Sequence, residues 1–182
     1  MLPRLSRRTQ KNHPLELDHQ ATTPCENEVI DAMAPYWHEY CGNPSSRNNS
    51  AGIRAAAALT NAREQLGNFL KVSAERIVFT SGATEANNLA LLGYARAKAA
   101  EQGKPGHLIT LATEHLAVLD PLRQLREEGF RVTEIYPGAT GLLAPDQLTD
   151  ALENDTFLVS VMVANNEIGT LQPLKQLSII CK

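Results

Sequence analysis

A turn of small residues over 81–85 follows a short apolar run and precedes a stretch with helical character. Gly82 allows the backbone to approach a ligand closely. The amides of Ala83 and Thr84, together with the Thr84 hydroxyl, are expected to point out of a helix N-terminus, which favours negative charge. The spacing therefore predicts a binding site for an anionic group such as a phosphate. A simple strand-to-helix turn, capped by Ser81 or Thr84, is an equally good interpretation of these residues alone.

The turn lacks the spacing of the common nucleotide-binding motifs, because no G-x-G-x-x-G follows the apolar run and no Gly-Lys-Ser/Thr closes the loop. A dinucleotide or a nucleoside triphosphate is therefore disfavoured. Two further segments carry polar side chains suited to a ligand, namely Thr-Glu-His at 113–115 and Asn-Asn-Glu-Ile-Gly at 165–169. Both follow apolar runs, and the ligand sites of open parallel sheets lie at the carboxyl ends of strands. We expect the three segments to converge on one pocket.

The elements that must position these segments alternate between helical and strand patterns. Helices are expected over 26–40, 51–70, 85–102, about 113–128 with Thr113 as a plausible N-cap, 145–153 and 173–181. Strands are expected over 77–79, 108–111, 130–135 and 156–163. The unbroken apolar run at 156–163 is typical of a central parallel strand covered on both faces. The pattern predicts an α/β fold with three α/β/α layers and a mostly parallel central sheet.

The first two helical stretches carry apolar side chains at helical spacing. In the first stretch these share one helical face: Val29, Ile30, Met33, Trp37 and Tyr40. In the second we expect four to pack in the core: Leu59, Leu66, Phe69 and Leu70. With 182 residues, 43% hydrophobic content and a net charge of -3, the chain is long enough for one α/β domain with a real core. No apolar run approaches the roughly 20 residues that span a bilayer. The near-neutral charge provides no basic field, so we expect neither a nucleic acid nor a membrane as partner.

The cysteines, Cys25, Cys41 and Cys181, lie far apart and lack C-x-x-C spacing, so neither a metal site nor a disulfide framework is indicated. We expect them to be small buried hydrophobes in a reducing compartment, which favours a cytoplasmic protein. Residues 1–14 carry basic side chains without an acid and without the apolar stretch of a secretory signal. They predict a flexible basic arm, with a short organellar leader as the alternative.

Five motifs resemble, in order, those of the pyridoxal-phosphate enzymes of the class-V aminotransferase group, and among these the cysteine desulfurases. They are D-x-x-A-T-T-P at 18–24, G-N-P-S-S at 42–46, the phosphate turn at 80–88, T-E-H at 113–115 and N-N-E-x-G at 165–169. One such motif is weak, but five in this order are highly specific. The resemblance implies that residues 15–182 form part of the large domain of a fold type I enzyme that binds pyridoxal 5′-phosphate.

The resemblance also implies roles for individual residues. Ala83 and Thr84 would hold the cofactor phosphate, His115 would stack on the pyridine ring and serve in proton transfer, and Asn166 would donate to the phenolic oxygen. A plainer interpretation makes His115 a residue near a helix N-terminus that is bonded to nearby backbone. Asn166 could likewise be a turn residue with a left-handed backbone, a position that Asn165 could also fill.

The family reaction removes sulfur from L-cysteine, giving L-alanine and a persulfide on an enzyme cysteine, and the resemblance further implies a homodimer and sulfur-acceptor or scaffold proteins for iron-sulfur cluster assembly. The sequence ends at Lys182, before the family's aspartate, cofactor-bearing lysine and nucleophilic cysteine. No lysine present falls at a strand end that faces the expected pocket. We therefore expect the chain alone to be nearly inactive. A split subunit completed by a partner chain, a transaminase and a selenocysteine lyase are the alternatives.

Overall fold

The structure is a computed structural model that describes residues 18–19 and 21–182, so the basic arm expected over 1–14 lies outside the described residues. The chain divides between Ile77 and Val78 into two compact units. The first unit is helical, and the second contains the sheet. Within the part of the chain that the structure describes, no helix is both long enough and apolar enough to cross a membrane.

The first unit contains helices α1 (Asn27–Met33), α2 (Pro35–His38) and α3 (Ser50–Leu70), followed by a 3₁₀ turn over Ala74–Arg76. The prediction of a single helix over 26–40 was wrong. Pro35 has no backbone N–H to continue α1, and it instead occupies the first position of α2, where a proline is well tolerated. The start of α3 is fixed by its N-cap, since the Asn49 side chain accepts a hydrogen bond from the Gly52 amide at 2.8 Å.

The apolar side chains of the first unit do not form a buried core. Among its described residues only Gly52 and Gly67 are buried, while Trp37 is 75% and Phe69 is 82% exposed. The expectation that Leu66, Phe69 and Leu70 lie in the core was therefore wrong. Helical periodicity identifies which side chains share a face, but it does not specify what covers that face. Large apolar side chains of this unit therefore stay exposed in the part of the chain that the structure describes.

The second unit alternates helices and strands, and its elements are α4 (Ala83–Gln102), β1 (His107–Leu111), α5 (Leu116–Glu127), β2 (Arg131–Ile135), α6 (Pro145–Ala151), β3 (Thr156–Ser160) and α7 (Leu174–Ile180). The three strands form a sheet in the order β2-β1-β3, and both pairings are parallel. Every residue of the central strand β1 is buried. This arrangement confirms the prediction of an α/β fold with a parallel sheet.

Two apolar clusters cover opposite faces of the sheet. Leu108 of β1 packs in a cluster with buried side chains of α4 and α5, including Leu91 and Leu122. Ile109, the next residue of β1, packs in a second cluster with Leu148 of α6 and Leu177 of α7. Successive side chains of a strand point to opposite faces, so one strand supplies both clusters. The second unit therefore has the predicted three layers, with the sheet between two pairs of helices.

Three local predictions were wrong. The run at 77–79 is not a strand, because within the described residues no strand pairs with it. The helix expected to begin after Thr113 begins at Leu116, and His115 is its N-cap. The run at 156–163 forms a strand only as far as Ser160 and lies at the edge of the described sheet, with all five strand residues half-buried. An unbroken apolar run indicates cover on both faces, and it does not fix a strand's place in the sheet.

A fully buried histidine joins the three strands at their amino ends. His107 of β1 places Nε2 2.8 Å from the Thr133 hydroxyl of β2 and Nδ1 2.7 Å from the Thr156 hydroxyl of β3. At the surface above it, Arg131 pairs with both Glu153, at 2.8 Å, and Asp155, at 2.5 Å. The imidazole therefore has a hydroxyl partner at each ring nitrogen, which satisfies a polar side chain in a buried position.

Candidate functional site

The N-terminus of α4 presents backbone donors that no side chain caps. Its N-cap is Gly82, whose backbone is extended, and the amides of Ala83 and Thr84 make no hydrogen bond within the described part of the chain. A Cβ built on Gly82 would meet no atom within 4 Å, so the space beside this turn is open. Free N–H groups at the positive end of a 20-residue helix suit an anionic group.

Ser81 and Glu85 close the turn around this helix start. The Glu85 carboxylate accepts hydrogen bonds from the Ser81 hydroxyl and the Ser81 amide, each at 2.6 Å. These two bonds, the hydroxyl first, hold the pKa of Glu85 below its ordinary value. Because Ser81 is engaged with Glu85, it does not cap the helix, and neither does Thr84. The simple capping interpretation of this turn was therefore wrong.

His115 lies at the carboxyl end of β1 as the N-cap of α5. Its Nδ1 accepts a hydrogen bond from the Ala117 amide at 3.0 Å. The structure thus contains the local backbone contact that the plainer interpretation of His115 expected. Because Nδ1 acts as the acceptor, the hydrogen of the neutral ring lies on Nε2. The cap therefore fixes the ring's tautomer and leaves Nε2 as the nitrogen available to a ligand.

Asn166 lies in a tight turn after β3 that Asn165 organises. The Asn165 side-chain oxygen accepts hydrogen bonds from the amides of Glu167, at 2.9 Å, and Ile168, at 3.0 Å. The left-handed residue of the turn is Gly169, with φ +70°, and neither asparagine has a positive φ. The suggestion that one of the asparagines takes the left-handed position was therefore wrong. The Asn166 side chain forms no hydrogen bond among the described residues and remains available to a ligand.

The loop after β2 is hydrogen-bonded to the chain that follows the asparagine turn. The buried Gln172 accepts a hydrogen bond from the Leu143 amide at 2.9 Å and donates to the Gly141 carbonyl at 2.7 Å. Gly141 has φ +75°, and a Cβ built there would lie 2.6 Å from Cδ1 of Ile168. Only glycine adopts this backbone without strain and also allows the close approach. A side chain at position 141 would therefore strain the backbone and require the exposed end of Ile168 to shift.

Glu114 is the buried acidic residue of the site. It is 8% exposed, and its Oε1 accepts a hydrogen bond from the Met162 amide at 2.5 Å. Burial raises the pKa of the Glu114 carboxyl above its ordinary value, and the bond from Met162 acts in the opposite direction. Sequence reasoning assigned no role to Glu114. The sequence feature that could have indicated its burial is that an acidic residue directly follows the apolar run of β1 and two small residues.

The structure brings three of the four predicted site residues to adjoining cavities. Thr84 and His115 line one cavity of about 400 Å³, and His115 and Asn166 line another of about 370 Å³. His115 and Leu116 contribute to both cavities. Ala83 lines neither cavity, and it would act only through its backbone amide at the start of α4. Segments 81–85 and 165–169 thus each contribute to a cavity that His115 also lines, and the convergence of the three segments on one pocket stays a prediction.

The described lysines and cysteines lie away from these cavities. Of the lysines that the structure describes, none lines either cavity, and Lys98 is paired with Glu101 at 2.7 Å on α4. Cys25, Cys41 and Cys181 are free and exposed. The expectation that they are buried hydrophobes was therefore wrong. The cavities thus contain hydrogen-bonding groups and a histidine, with no lysine or cysteine nucleophile among the described residues.

Comparison with known proteins agrees with this architecture. Residues 16–182 match the family described as "Aminotransferase class-V". The chain is 44% identical over 170 residues to a protein of Schizosaccharomyces pombe named "Probable cysteine desulfurase, mitochondrial", an alignment covering 93% of this chain and 33% of the relative. The chain therefore spans about a third of that relative's length.

Two solved structures resemble the chain closely, each with a TM-score of 0.81 and 36% identity. One is a "NifS-like protein", matched over 90% of this chain and 44% of its own length. The other is "SspA in complex with cysteine", matched over 90% of this chain and 46% of its own length.

Proposed function

The chain belongs to the class-V aminotransferase family, and we propose that it forms the cofactor-binding part of a cysteine desulfurase that depends on pyridoxal 5′-phosphate. The reaction proposed is the conversion of L-cysteine to L-alanine, with the sulfur passing to an enzyme cysteine. A relative named as a probable cysteine desulfurase at 44% identity supports this, as does a solved neighbour bound to cysteine. The observation that carries the proposal is that His115 lines two cavities, one with Thr84 and one with Asn166.

The donor set fits a phosphorylated pyridine. We assign the phosphate to the free amides of Ala83 and Thr84 with the Thr84 hydroxyl, because helix N-termini suit this anion. We assign the ring face to the His115 imidazole and the phenolic oxygen to the Asn166 amide group, which has no competing hydrogen bond among the described residues. The open space at Gly82 would accommodate a phosphate oxygen close to the backbone.

When bound, the cofactor supplies an electron sink for the substrate's bonding electrons, which is chemistry that no protein side chain provides. The residues of this chain orient the reacting groups and hold protons. His115, with Nδ1 engaged by the Ala117 amide, carries the hydrogen of its neutral ring on Nε2 and would offer it there to the substrate. Asn166 would donate a hydrogen bond that helps tune the ring electronics.

We further propose that this chain alone binds the cofactor without a covalent bond and does not complete the reaction. The described lysines lie outside the two cavities, so none is placed to attach the cofactor. A partner polypeptide that supplies a lysine and a nucleophilic cysteine would complete the site. A homodimer, a sulfur-acceptor protein and a cytoplasmic location are the corresponding proposals for the assembled enzyme.

The experiment is a calorimetric comparison of pyridoxal 5′-phosphate and pyridoxal on the 182-residue chain. We expect the phosphorylated form to bind at least about tenfold more tightly, since charge-assisted hydrogen bonds at the helix N-terminus require the phosphate. Thr84→Val should reduce that preference, whereas Thr60→Val on the exposed surface of α3 is the matched control and should leave it unchanged. Equal affinity for the two compounds, or no binding, would refute the proposal.

Covalent attachment is tested separately. After borohydride reduction in the presence of pyridoxal 5′-phosphate, we expect no stoichiometric phosphopyridoxyl group on any lysine, and no alanine from added L-cysteine. Mass spectrometry of the digested protein measures the first outcome, and amino-acid analysis measures the second. One fully modified internal lysine would overturn the proposal of non-covalent binding while leaving the assignment of the phosphate site intact.

A further inference from the structure

The sheet does not extend to the two segments that carry His115 and Asn166. Pairing between β1 and β3 ends at Thr110 and Ser160. Beyond this point the backbone ladder no longer fixes the distance between segment 113–115 and the turn at 165–169. Contacts that side chains make across the gap therefore help to set the separation between His115 and Asn166.

Two side chains make such contacts, one from each segment. Glu114 accepts a hydrogen bond from the Met162 amide at 2.5 Å, and Asn165 donates from Nδ2 to the Thr113 carbonyl at 3.1 Å. The first bond joins a side chain of segment 113–115 to the backbone that follows β3, and the second joins a side chain of the 165–169 turn to the backbone of segment 113–115. They lie directly next to the residues of interest, because Glu114 precedes His115 and Asn165 precedes Asn166. The pair acts as a reciprocal clamp past the end of the sheet.

Asn165 has no remaining capacity for a ligand. Its oxygen accepts from the amides of Glu167 and Ile168, while Nδ2 lies 3.1 Å from the Thr113 carbonyl and 3.4 Å from the Met162 sulfur. A side-chain amide offers two donors and one acceptor oxygen, so these contacts use all of its groups. Asn166 makes no hydrogen bond among the described residues. Asn165 therefore holds the turn, whereas the Asn166 side chain lines the cavity without a hydrogen bond to the protein.

Glu114 is also committed to the protein. It is 8% exposed and lines the same cavity as His115 and Asn166, and its Oε1 is directed at the Met162 amide. Burying a carboxyl group is costly unless hydrogen bonds compensate for the lost water. The bond to Met162 provides such compensation and at the same time ties the loop after β1 to the chain after β3.

We propose that Glu114 and Asn165 are positioning residues, which hold His115 and Asn166 at the separation that a planar cofactor ring requires. This inference rests on the proposed function, because it assigns the ring to these two side chains. Catalytic and binding groups must be held within about 0.5 Å of their productive places, and groups that lock the loops provide this precision. Loss of either cross-link should weaken ring binding and leave the phosphate nest at α4 intact.

The test uses the 182-residue chain with two probes, pyridoxal 5′-phosphate and inorganic phosphate. Asn165→Asp keeps the oxygen that accepts from Glu167 and Ile168 but removes the donor to Thr113. Glu114→Leu removes the acceptor of Met162, whereas Glu114→Gln retains an oxygen at that place. We expect Asn165→Asp and Glu114→Leu each to lower cofactor affinity about three- to tenfold. Glu114→Gln should restore most of the affinity, and inorganic phosphate should bind all variants equally.

An equal loss of affinity for both probes would show that these residues only stabilise the fold, and it would overturn the proposal. Hydrogen exchange without any ligand separates this inference from the proposed function. The Met162 amide should lose protection in Glu114→Leu and retain it in Glu114→Gln. Unchanged protection in Glu114→Leu would also overturn the proposal. A parent chain that binds no cofactor but shows this exchange pattern would refute the proposed function and leave the clamp supported.

Discussion

The His115 imidazole accepts a hydrogen bond from the Ala117 amide at 3.0 Å, so the side chain assigned to the ligand also caps the start of α5. An N-cap satisfies one of the free N–H groups at the helix start. The same contact sets which ring nitrogen carries hydrogen. Helix stability and site chemistry are therefore coupled at one residue, and substitutions can separate the two.

His115→Ala should lower the free energy of unfolding by about 1 kcal/mol, because it removes the acceptor of the Ala117 amide. His115→Asn should retain most of the stability, since asparagine is among the best N-caps. Both variants should lose cofactor affinity, because neither has a ring to stack. Urea unfolding measures the stability, and calorimetry measures the affinity. If the asparagine variant unfolds as easily as the alanine variant, the capping role is incorrect.

Glu114→Gln should make the stability less dependent on pH. Burial raises the pKa of Glu114 in the folded state, so the folded chain binds more protons than the unfolded chain above the ordinary pKa of the group. The contribution of Glu114 to the free energy of unfolding is therefore fully present at pH values below its pKa in the unfolded chain. It is lost as pH rises through the pKa of Glu114 in the folded chain. Relative to the parent, Glu114→Gln should gain stability as pH rises from the ordinary pKa of Glu114 through its raised folded-state pKa.

Urea unfolding of the parent and of Glu114→Gln at several pH values measures this effect. Glu75→Gln is the control, because Glu75 is exposed in the 3₁₀ turn of the first unit. Its pH profile should follow that of the parent. A Glu114→Gln curve that stays parallel to the parent across the whole range contradicts the assignment.

His107→Ala should be strongly destabilising, by about 3 kcal/mol, because it opens a cavity and removes the partner of two threonine hydroxyls. His38→Ala, at an exposed position in α2, should change stability by less than about 0.5 kcal/mol. A double-mutant cycle of His107→Ala with Thr133→Val should give a coupling energy of about 1 kcal/mol. Additive effects would mean that the hydrogen bond to Thr133 contributes little.

Gly141→Ala should destabilise the chain by about 1–2 kcal/mol, because φ is +75° and the added Cβ meets Ile168. Combining it with Ile168→Ala should relieve the steric part and leave the backbone strain. Thermal unfolding of the two single variants and the double variant measures both parts. A Gly141→Ala variant as stable as the parent would show that the loop adjusts without cost.

Hydrophobic periodicity was sufficient to predict the layers of the second unit. The runs containing Leu108 and Val132 predicted parallel strands, the stretch between them predicted α5, and the stretch before Leu108 predicted α4. Local patterns could not determine that β3 lies at the described edge, since an apolar run contains no information about its neighbours. They also could not determine that Phe69 is exposed, because cover is a tertiary property.

For the site, the positions of the segments after apolar runs predicted that Thr84, His115 and Asn166 would lie near one another. Thr84 and Asn166 each line a cavity with His115, and their binding roles stay predictions. The sequence could not reveal how they are held. The contacts of Glu114 with Met162 and of Gly141 with Ile168 join positions far apart in the chain. Such pairs depend on packing beyond the strand ends, where neither periodicity nor turn preferences apply.

The central position of β1 has a consequence during synthesis on the ribosome. β1 can pair with β2 once β2 has emerged, but its other edge stays unpaired until β3 emerges, by which time the apolar helices of the first unit have already left the exit tunnel. At roughly 5–20 residues per second this delay lasts several seconds. We expect the nascent chain to engage chaperones during that interval, and slower translation should lengthen this engagement.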